Sequence, residues 1–185
     1  MSHSRFLSAI SLAVSLAAPG CGGDDSCGPG NAPDDGLVAT GGGATLTYSG
    51  LTAGLNGDCP ATDAPSGVTS LTIAGTATTG FVTLCVSRPD LLAKQSQTVG
   101  LDVAGSAPPA RLVDLTGSAS NCTFKIDRTQ PASGSVSSAG LCGNGASTAG
   151  FALTVDVTLA LTRTCDQTID SIPVTLRGTV AVAAQ

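Results

Sequence analysis

The sequence predicts an all-β domain, and three observations support this fold class. One long stretch alternates apolar and polar residues, shorter alternating stretches are separated by turn residues, and helix formers are scarce, since glutamate is absent and lysine occurs twice. Threonine, valine, glycine and serine take their place, which favours strands and turns. We expect an antiparallel β-sandwich or a Greek-key-like barrel of about eight or nine strands, held by disulfides.

The clearest strand covers residues 151–162. Alternate positions carry large apolar side chains, and the positions between them carry alanine, threonine or aspartate. A period of two places the apolar set on one face of a strand, so this stretch is predicted to be central, with its apolar face buried. The apolar set is Phe151, Leu153, Val155, Val157, Leu159 and Leu161.

The remaining strands are predicted from shorter patterns. Residues 174–182 alternate in the same way as residues 151–162. Weaker candidates, separated in many places by turn residues such as Asn56-Gly57 and Pro108-Pro109, cover 44–49, 68–78, 81–87, 98–103, 111–116, 122–127 and 135–141. Residues 90–96 are the one segment expected to form a helical turn.

The N-terminus reads as an export signal. Arg5 supplies one positive charge, an uncharged apolar run of small and aliphatic residues follows, and Ala18-Pro19-Gly20 precedes Cys21. A charged start, a short apolar core and small residues before the cut are typical of a signal peptide. The apolar run is too short to span about 30 Å of hydrocarbon as a helix.

The small residues that lead into Cys21 resemble the lipobox of bacterial lipoproteins, in which the cysteine is acylated and becomes the new N-terminus. Gly20 fits the family pattern, whereas Pro19 departs from it. The resemblance covers residues 1–21 and implies an exported protein, lipid-anchored in the bacterial cell envelope. Because Gly22 rather than aspartate follows the cysteine, the resemblance favours the outer membrane. Cleavage without lipidation, giving a secreted protein, is the alternative.

Three regions follow from these signals. Residues 1–20 are the signal peptide, residues 21–36 are a Gly/Pro/Asp-rich tether, and residues 37–185 form one β domain. The length after cleavage is enough for one hydrophobic core.

Cysteine number supports both the anchor and the disulfides. Without Cys21 the count is even, as expected for bridges in an oxidising compartment. The remaining six allow fifteen connectivities. If residues 122–127 and 135–141 form a hairpin, Cys122 pairs with Cys142, and elimination then suggests Cys27–Cys59 and Cys85–Cys165. No C-x-x-C pair occurs and the one histidine, His3, lies in the signal, so we expect neither a metal nor another cofactor.

Charge and composition exclude several functions. The formal net charge is -5, and no cluster of lysine or arginine is present, so nucleic-acid binding is not expected. The mature chain lacks the histidine that Ser-His-Asp and Cys-His catalysis require. We therefore do not expect an enzyme. Oligomeric state is not encoded in any pattern that we recognise.

Two functions follow as expectations. The first is an envelope-anchored, non-catalytic lipoprotein that acts as a binding or structural module. Because aromatic residues, on which sugar rings stack, make up only 3% of the chain, a protein partner is favoured over a glycan. The alternative is an accessory hydrolase, acting for example on envelope glycans. Its carboxylates would come from Asp102, Asp114, Asp127 and Asp156, which also read as solvated strand residues.

Overall fold

The computed structural model describes residues 36–92, 94–105, 107–142 and 150–182, and the prediction of a disulfide-bonded all-β fold is confirmed. The described residues contain no α-helix and form ten strands rather than eight or nine, joined in one sheet. A 3₁₀ turn, Pro89–Leu91, begins one residue before the predicted helical turn and overlaps its first two residues. The strands are β1 (Gly36–Gly41), β2 (Ala44–Leu55), β3 (Leu71–Ala77), β4 (Gly80–Val86), β5 (Gln97–Leu101), β6 (Ala110–Ala119), β7 (Cys122–Ile126), β8 (Ser133–Cys142), β9 (Gly150–Cys165) and β10 (Thr168–Val182).

The predicted central strand is β9, which pairs with three other strands. It pairs along its length with β10, and its opposite edge pairs first with β8 and then with β7. The predicted alternation is confirmed at residues 153–161, where the odd-numbered side chains are buried. Thr154, Asp156 and Thr158 are exposed on the opposite face. The side chain of Phe151 lies outside the described residues.

The strand pairings return to the strand from which they start. From β9 they run through β10, β1, β2, β3, β4, β6 and β7, and β7 pairs again with β9. Strands β5 and β8 fill the remaining gap between β6 and β9, since β5 pairs with β6 and β8. All of these pairs are antiparallel except β5–β6. This arrangement leaves few unpaired edges on which another chain could add.

Two strand boundaries differ from the sequence prediction. Strand β1 was not predicted as a separate element, because it is short and bounded by Gly36 and Gly41. Strand β10 begins at Thr168, six residues before the predicted start at Val174. The prediction placed the start too late because Pro173 interrupts the alternating pattern. Proline is tolerated there because the paired register with β1 ends at Thr175, so Pro173 has no ladder partner in β1.

The buried faces of the strands form one apolar core. Tyr48, the one tyrosine of the chain, is completely buried in it and donates a hydrogen bond to the carbonyl oxygen of Thr116 at 2.9 Å. This bond joins β2 to β6 through the core and satisfies the hydroxyl. Burial, together with the negative charge of Asp114, raises the pKa of Tyr48 far above its ordinary value. The largest other fully buried side chains are Leu37, Leu71, Ile73, Leu84, Leu112, Leu115, Leu153, Leu161 and Leu176.

Four tight turns lie together at one end of the domain. They join β1 to β2, β3 to β4, β6 to β7 and β9 to β10. The β6–β7 turn has positive φ at both Ser120 and Asn121, the conformation of a two-residue hairpin whose twist matches its strands. Arg163 in β9 holds the first of these turns by donating to the carbonyl oxygen of Gly42 at 3.0 Å.

The disulfides differ from the predicted pairing. Cys122 pairs with Cys165, across a Cα separation of 4.3 Å, and Cys59 pairs with Cys85, across 6.2 Å. The predicted pairs Cys122–Cys142, Cys27–Cys59 and Cys85–Cys165 are therefore wrong. Cys27 and the Cys142 side chain lie outside the described residues.

The physical reason for the error is the position of β7. The prediction assumed a hairpin between β7 and β8, but β7 pairs with β6 and β9. Cys122 and Cys165 are directly opposite each other in that register, whereas β8 pairs with a different part of β9. Residues 127–132 carry the chain onward along the same edge of β9 rather than reversing it onto β7.

We expect opposite outcomes from two neighbouring substitutions in β9. Val157→Asp buries an unpaired carboxylate in the core and should cost several kcal/mol, enough to unfold the domain. Thr158→Asp changes an exposed position, where a strand substitution costs about 1 kcal/mol or less. Thermal melts of the two variants measure the contrast. Similar losses of stability in both would contradict the assignment of faces.

Candidate functional site

A cavity of about 620 Å³ opens at the end of the domain opposite to the four tight turns, and it is the candidate site. Its lining comes from three segments: residues 60–63 of the β2–β3 connection, residues between 87 and 98, and residues 107–111. Its volume lies within the range of small-ligand pockets. The lining contains charged and amide side chains, three prolines, and the apolar side chains of Ala61, Leu91 and Ala107.

The cavity lies where the parallel β5–β6 pairing stops. That pairing includes Val99 to Leu101, opposite Ala110 to Leu112. The two residues before Ala110 are Pro108 and Pro109, which have no N–H with which to extend the ladder. Space therefore opens between the start of β5 and the approach to β6.

The wall formed by residues 60–63 is tied to the sheet by a disulfide and an arginine. Cys59, just before this segment, bonds to Cys85 in β4. Arg111 in β6 donates through Nη2 to the carbonyl oxygen of Cys59 at 3.0 Å and to Oγ of buried Ser87 at 3.2 Å. These links fix one wall of the cavity against the ends of β4 and β6.

A second arginine links the same wall to the 3₁₀ turn. Arg88 donates through Nε and Nη2 to the two carboxylate oxygens of Asp90, both at 2.8 Å, in a bidentate pair. Its Nη1 reaches Asp63 at 3.4 Å. The hydrogen bond from Arg88 lowers the pKa of Asp90, and the same bond raises the pKa of Arg88.

The charges that line the cavity are neutralised by neighbours. Arg88 contacts Asp90 and Asp63, and Arg111 lies 3.5 Å from Asp102. The guanidinium side chains are only 15% and 17% exposed, so these carboxylates compensate charges that are partly removed from water. The site as a whole therefore resembles a neutral polar cavity rather than an anion-binding pocket.

Two buried polar atoms in the lining have no hydrogen-bond partner within the described part of the chain. They are Oε1 of Gln97 and Nε of Arg111. Gln97 is 3% exposed, and its Nε2 donates to the carbonyl oxygen of Arg88, which identifies the other amide atom as the free acceptor. An unpaired buried polar atom costs about 1–3 kcal/mol.

The four aspartates considered from the sequence are engaged with different partners. Asp102 pairs with Arg111 beside the cavity, and Asp156 pairs with Arg177 at 3.0 Å on the outer face. Asp114 accepts from the backbone N–H of Leu115 at 2.8 Å.

Asp127 accepts a hydrogen bond from the Ser171 hydroxyl at 2.6 Å, and this bond is the main reason that the pKa of Asp127 is lowered. Only Asp102 contacts a residue of the cavity lining. The residues that build the site, Arg88, Gln97 and Arg111, carried no recognisable motif in the sequence.

Cys21, the predicted lipidation site, lies outside the described residues, as does Cys27. Among the residues that the structure does describe, no helix has the length and apolar character needed to cross a membrane. Within the same part of the chain, no group of three or more His, Cys, Asp or Glu side chains is placed to hold a metal ion.

No protein-family profile matches the chain, and neither a curated protein nor a solved structure matches it.

We expect the Arg88–Asp90 pair to make part of the domain's stability depend on acid pH. Because the pKa of Asp90 lies below its ordinary value of 3.8 in the folded state, the contribution is complete above that value and is lost as the pH falls through the lowered pKa. Arg88→Gln should return the pKa of Asp90 toward 3.8, and its stability difference from the wild type should shrink in acid. Carboxyl NMR titration measures the pKa directly.

The matched control is Arg177→Gln, which removes the partner of Asp156 on the outer face. It should leave the titration of Asp90 unchanged. An unaltered pKa of Asp90 in Arg88→Gln would contradict the pairing described here.

Proposed function

We propose that the protein is an envelope-anchored, non-catalytic lipoprotein that acts as a binding module and contacts a protein partner through the cavity beside β5 and β6. The observation that carries this proposal is the cavity itself, which combines a ligand-sized volume with buried hydrogen-bonding groups that have no partner among the described residues. Convergent polar groups in a largely preformed pocket are typical of binding sites.

Three aspartates of the domain lack the raised pKa that the acid of an accessory hydrolase would need. A glycosidase of the usual kind needs one carboxyl group with a raised pKa to act as an acid. Asp90, Asp127 and Asp170 all have lowered pKa values, because each carboxylate accepts hydrogen bonds that stabilise its charged form. The main hydrogen-bond donors to these carboxylates are side chains of the same domain, namely Arg88, Ser171 and Arg163. These contacts favour a role in folding for the three aspartates.

The tether gives the proposed module its reach. About fifteen residues separate Cys21 from Gly36, the first residue of β1. Fully extended, such a segment spans at most about 50 Å. A domain held by lipid on Cys21 could therefore meet partners at some distance from the membrane surface.

The anchor predicts a defined mass for the envelope form. The mature chain should begin at Cys21 and carry acyl chains, because stable anchoring by lipid takes more than one chain. Intact-mass analysis of protein extracted from the native envelope measures both features. An unmodified Cys21, or a mature chain that begins elsewhere, would rule out the lipoprotein assignment.

The binding role predicts a position-dependent cross-link. A photo-reactive residue placed at Thr62, exposed at the cavity, should form a discrete adduct with a protein in intact envelopes. The same residue at Thr123, exposed on β7 and outside the cavity lining, is the control. Gel mobility and mass spectrometry identify the adduct. Equal cross-linking at both positions, or none at Thr62, would overturn the proposal.

A further inference from the structure

The unpaired atoms in the cavity wall form a complementary set. Gln97 Oε1 can only accept a hydrogen bond, and Arg111 Nε–H can only donate one. A ligand that satisfies both must present a donor and an acceptor. The peptide group has one N–H and one C=O, and carries no net charge.

The ion pairs at the cavity favour a neutral peptide over an anionic ligand. A carboxylate or phosphate would have to compete with Asp90 and Asp63 for Arg88, and with Asp102 for Arg111. Such a ligand also offers no N–H to Gln97 Oε1. A neutral amide needs no exchange of these ion pairs.

The other lining residues favour a peptide over a sugar. Sugar rings are commonly held against aromatic side chains, and none of the lining residues is aromatic. Pro60, Pro108 and Pro109 instead present rigid apolar surfaces beside Leu91 and Ala61. These surfaces fit small side chains that flank a peptide group.

The two unpaired atoms belong to residues that line the same cavity as the largely exposed wall formed by residues 60–63. Both atoms are closed to water in the described structure. Asp63 is the least constrained charged residue at the cavity, since its side chain is 80% exposed and its contact with Arg88 is 3.4 Å long.

We infer that the cavity binds a polypeptide segment, with one main-chain amide of the segment hydrogen-bonded to Gln97 Oε1 and Arg111 Nε. This inference rests on the proposed binding function and specifies its ligand. The amide N–H donates to Gln97 and the amide C=O accepts from Arg111, so the complex satisfies the two buried groups that have no partner among the described residues. Small side chains on either side of that amide pack against the prolines.

The test uses the full mature chain and a capped peptide, acetyl-Ala-Ala-Ala-N-methylamide, followed by NMR. The side-chain N–H signals of Gln97 and Arg111 should shift saturably. Gln97→Met should weaken binding about three- to tenfold, the effect of one hydrogen bond. Gln130→Met, at an exposed residue outside the cavity, is the matched control and should bind as the wild type does.

A change in the ligand keeps the test valid if Gln97→Met fails to fold. Replacing all four amides of the peptide by esters removes every N–H and should weaken binding to the wild type by a similar factor. Equal binding of the ester and the amide would overturn the inference. Shifts produced by acetate or maltose, but not by the peptide, would identify an anion or sugar site instead and would also overturn it.

The two proposals fail separately. A cross-link at Thr62 in envelopes without peptide binding in solution would reject the amide contact and leave the binding module standing. Peptide binding without any cross-link would support the amide contact and reject the function proposed for it in the envelope.

Discussion

The pairing of β7 with both β6 and β9 is the interaction on which the rest of this fold depends. Strand β7 has only five residues, yet both of its edges are hydrogen-bonded. Through it the strand pairings return to β9, and the Cys122–Cys165 disulfide crosses the same pair. Without β7, residues 116–119 of β6 and residues 161–165 of β9 would be left open to other chains.

The short length of β7 also determines where the cavity forms. Strand β7 covers residues 116–119 of β6, and β5 pairs with residues 110–112 of the same strand. Arg128, just after β7, bridges this junction by donating to the carbonyl oxygens of Asp102 and Val113. Beyond the three paired residues of β5, Pro108 and Pro109 end the ladder, and the cavity opens there.

The sequence predicts well what depends on local periodicity. The alternation in β9 identifies its buried face correctly because a one-residue step reverses the side of a strand. Scarce helix formers and frequent turn residues predict the all-β class for the same local reason. The start of β10 was misplaced because Pro173 was interpreted as a break, although it pairs with Ala160 of β9 and has no ladder partner in β1.

The disulfides and the cavity could not be predicted in this way, because both depend on which strands become neighbours. Cys122 and Cys165 are 43 residues apart in the sequence. The prediction instead paired β7 with β8, because these two strands follow each other closely along the chain. Gln97 and Arg111 are ordinary residues until the parallel β5–β6 pair brings their segments together. A parallel pair joined by a loop leaves no short-range signal, unlike a hairpin.

Peptide mapping of the unreduced protein tests the position of β7 most directly. Trypsin should release residues 112–125, which contain Cys122, and residues 164–177, which contain Cys165. The structure predicts that these two peptides are recovered as one disulfide-linked species. If residues 112–125 are instead linked to residues 129–163, which contain Cys142, then β7 forms a hairpin with β8 and the closure described here is contradicted.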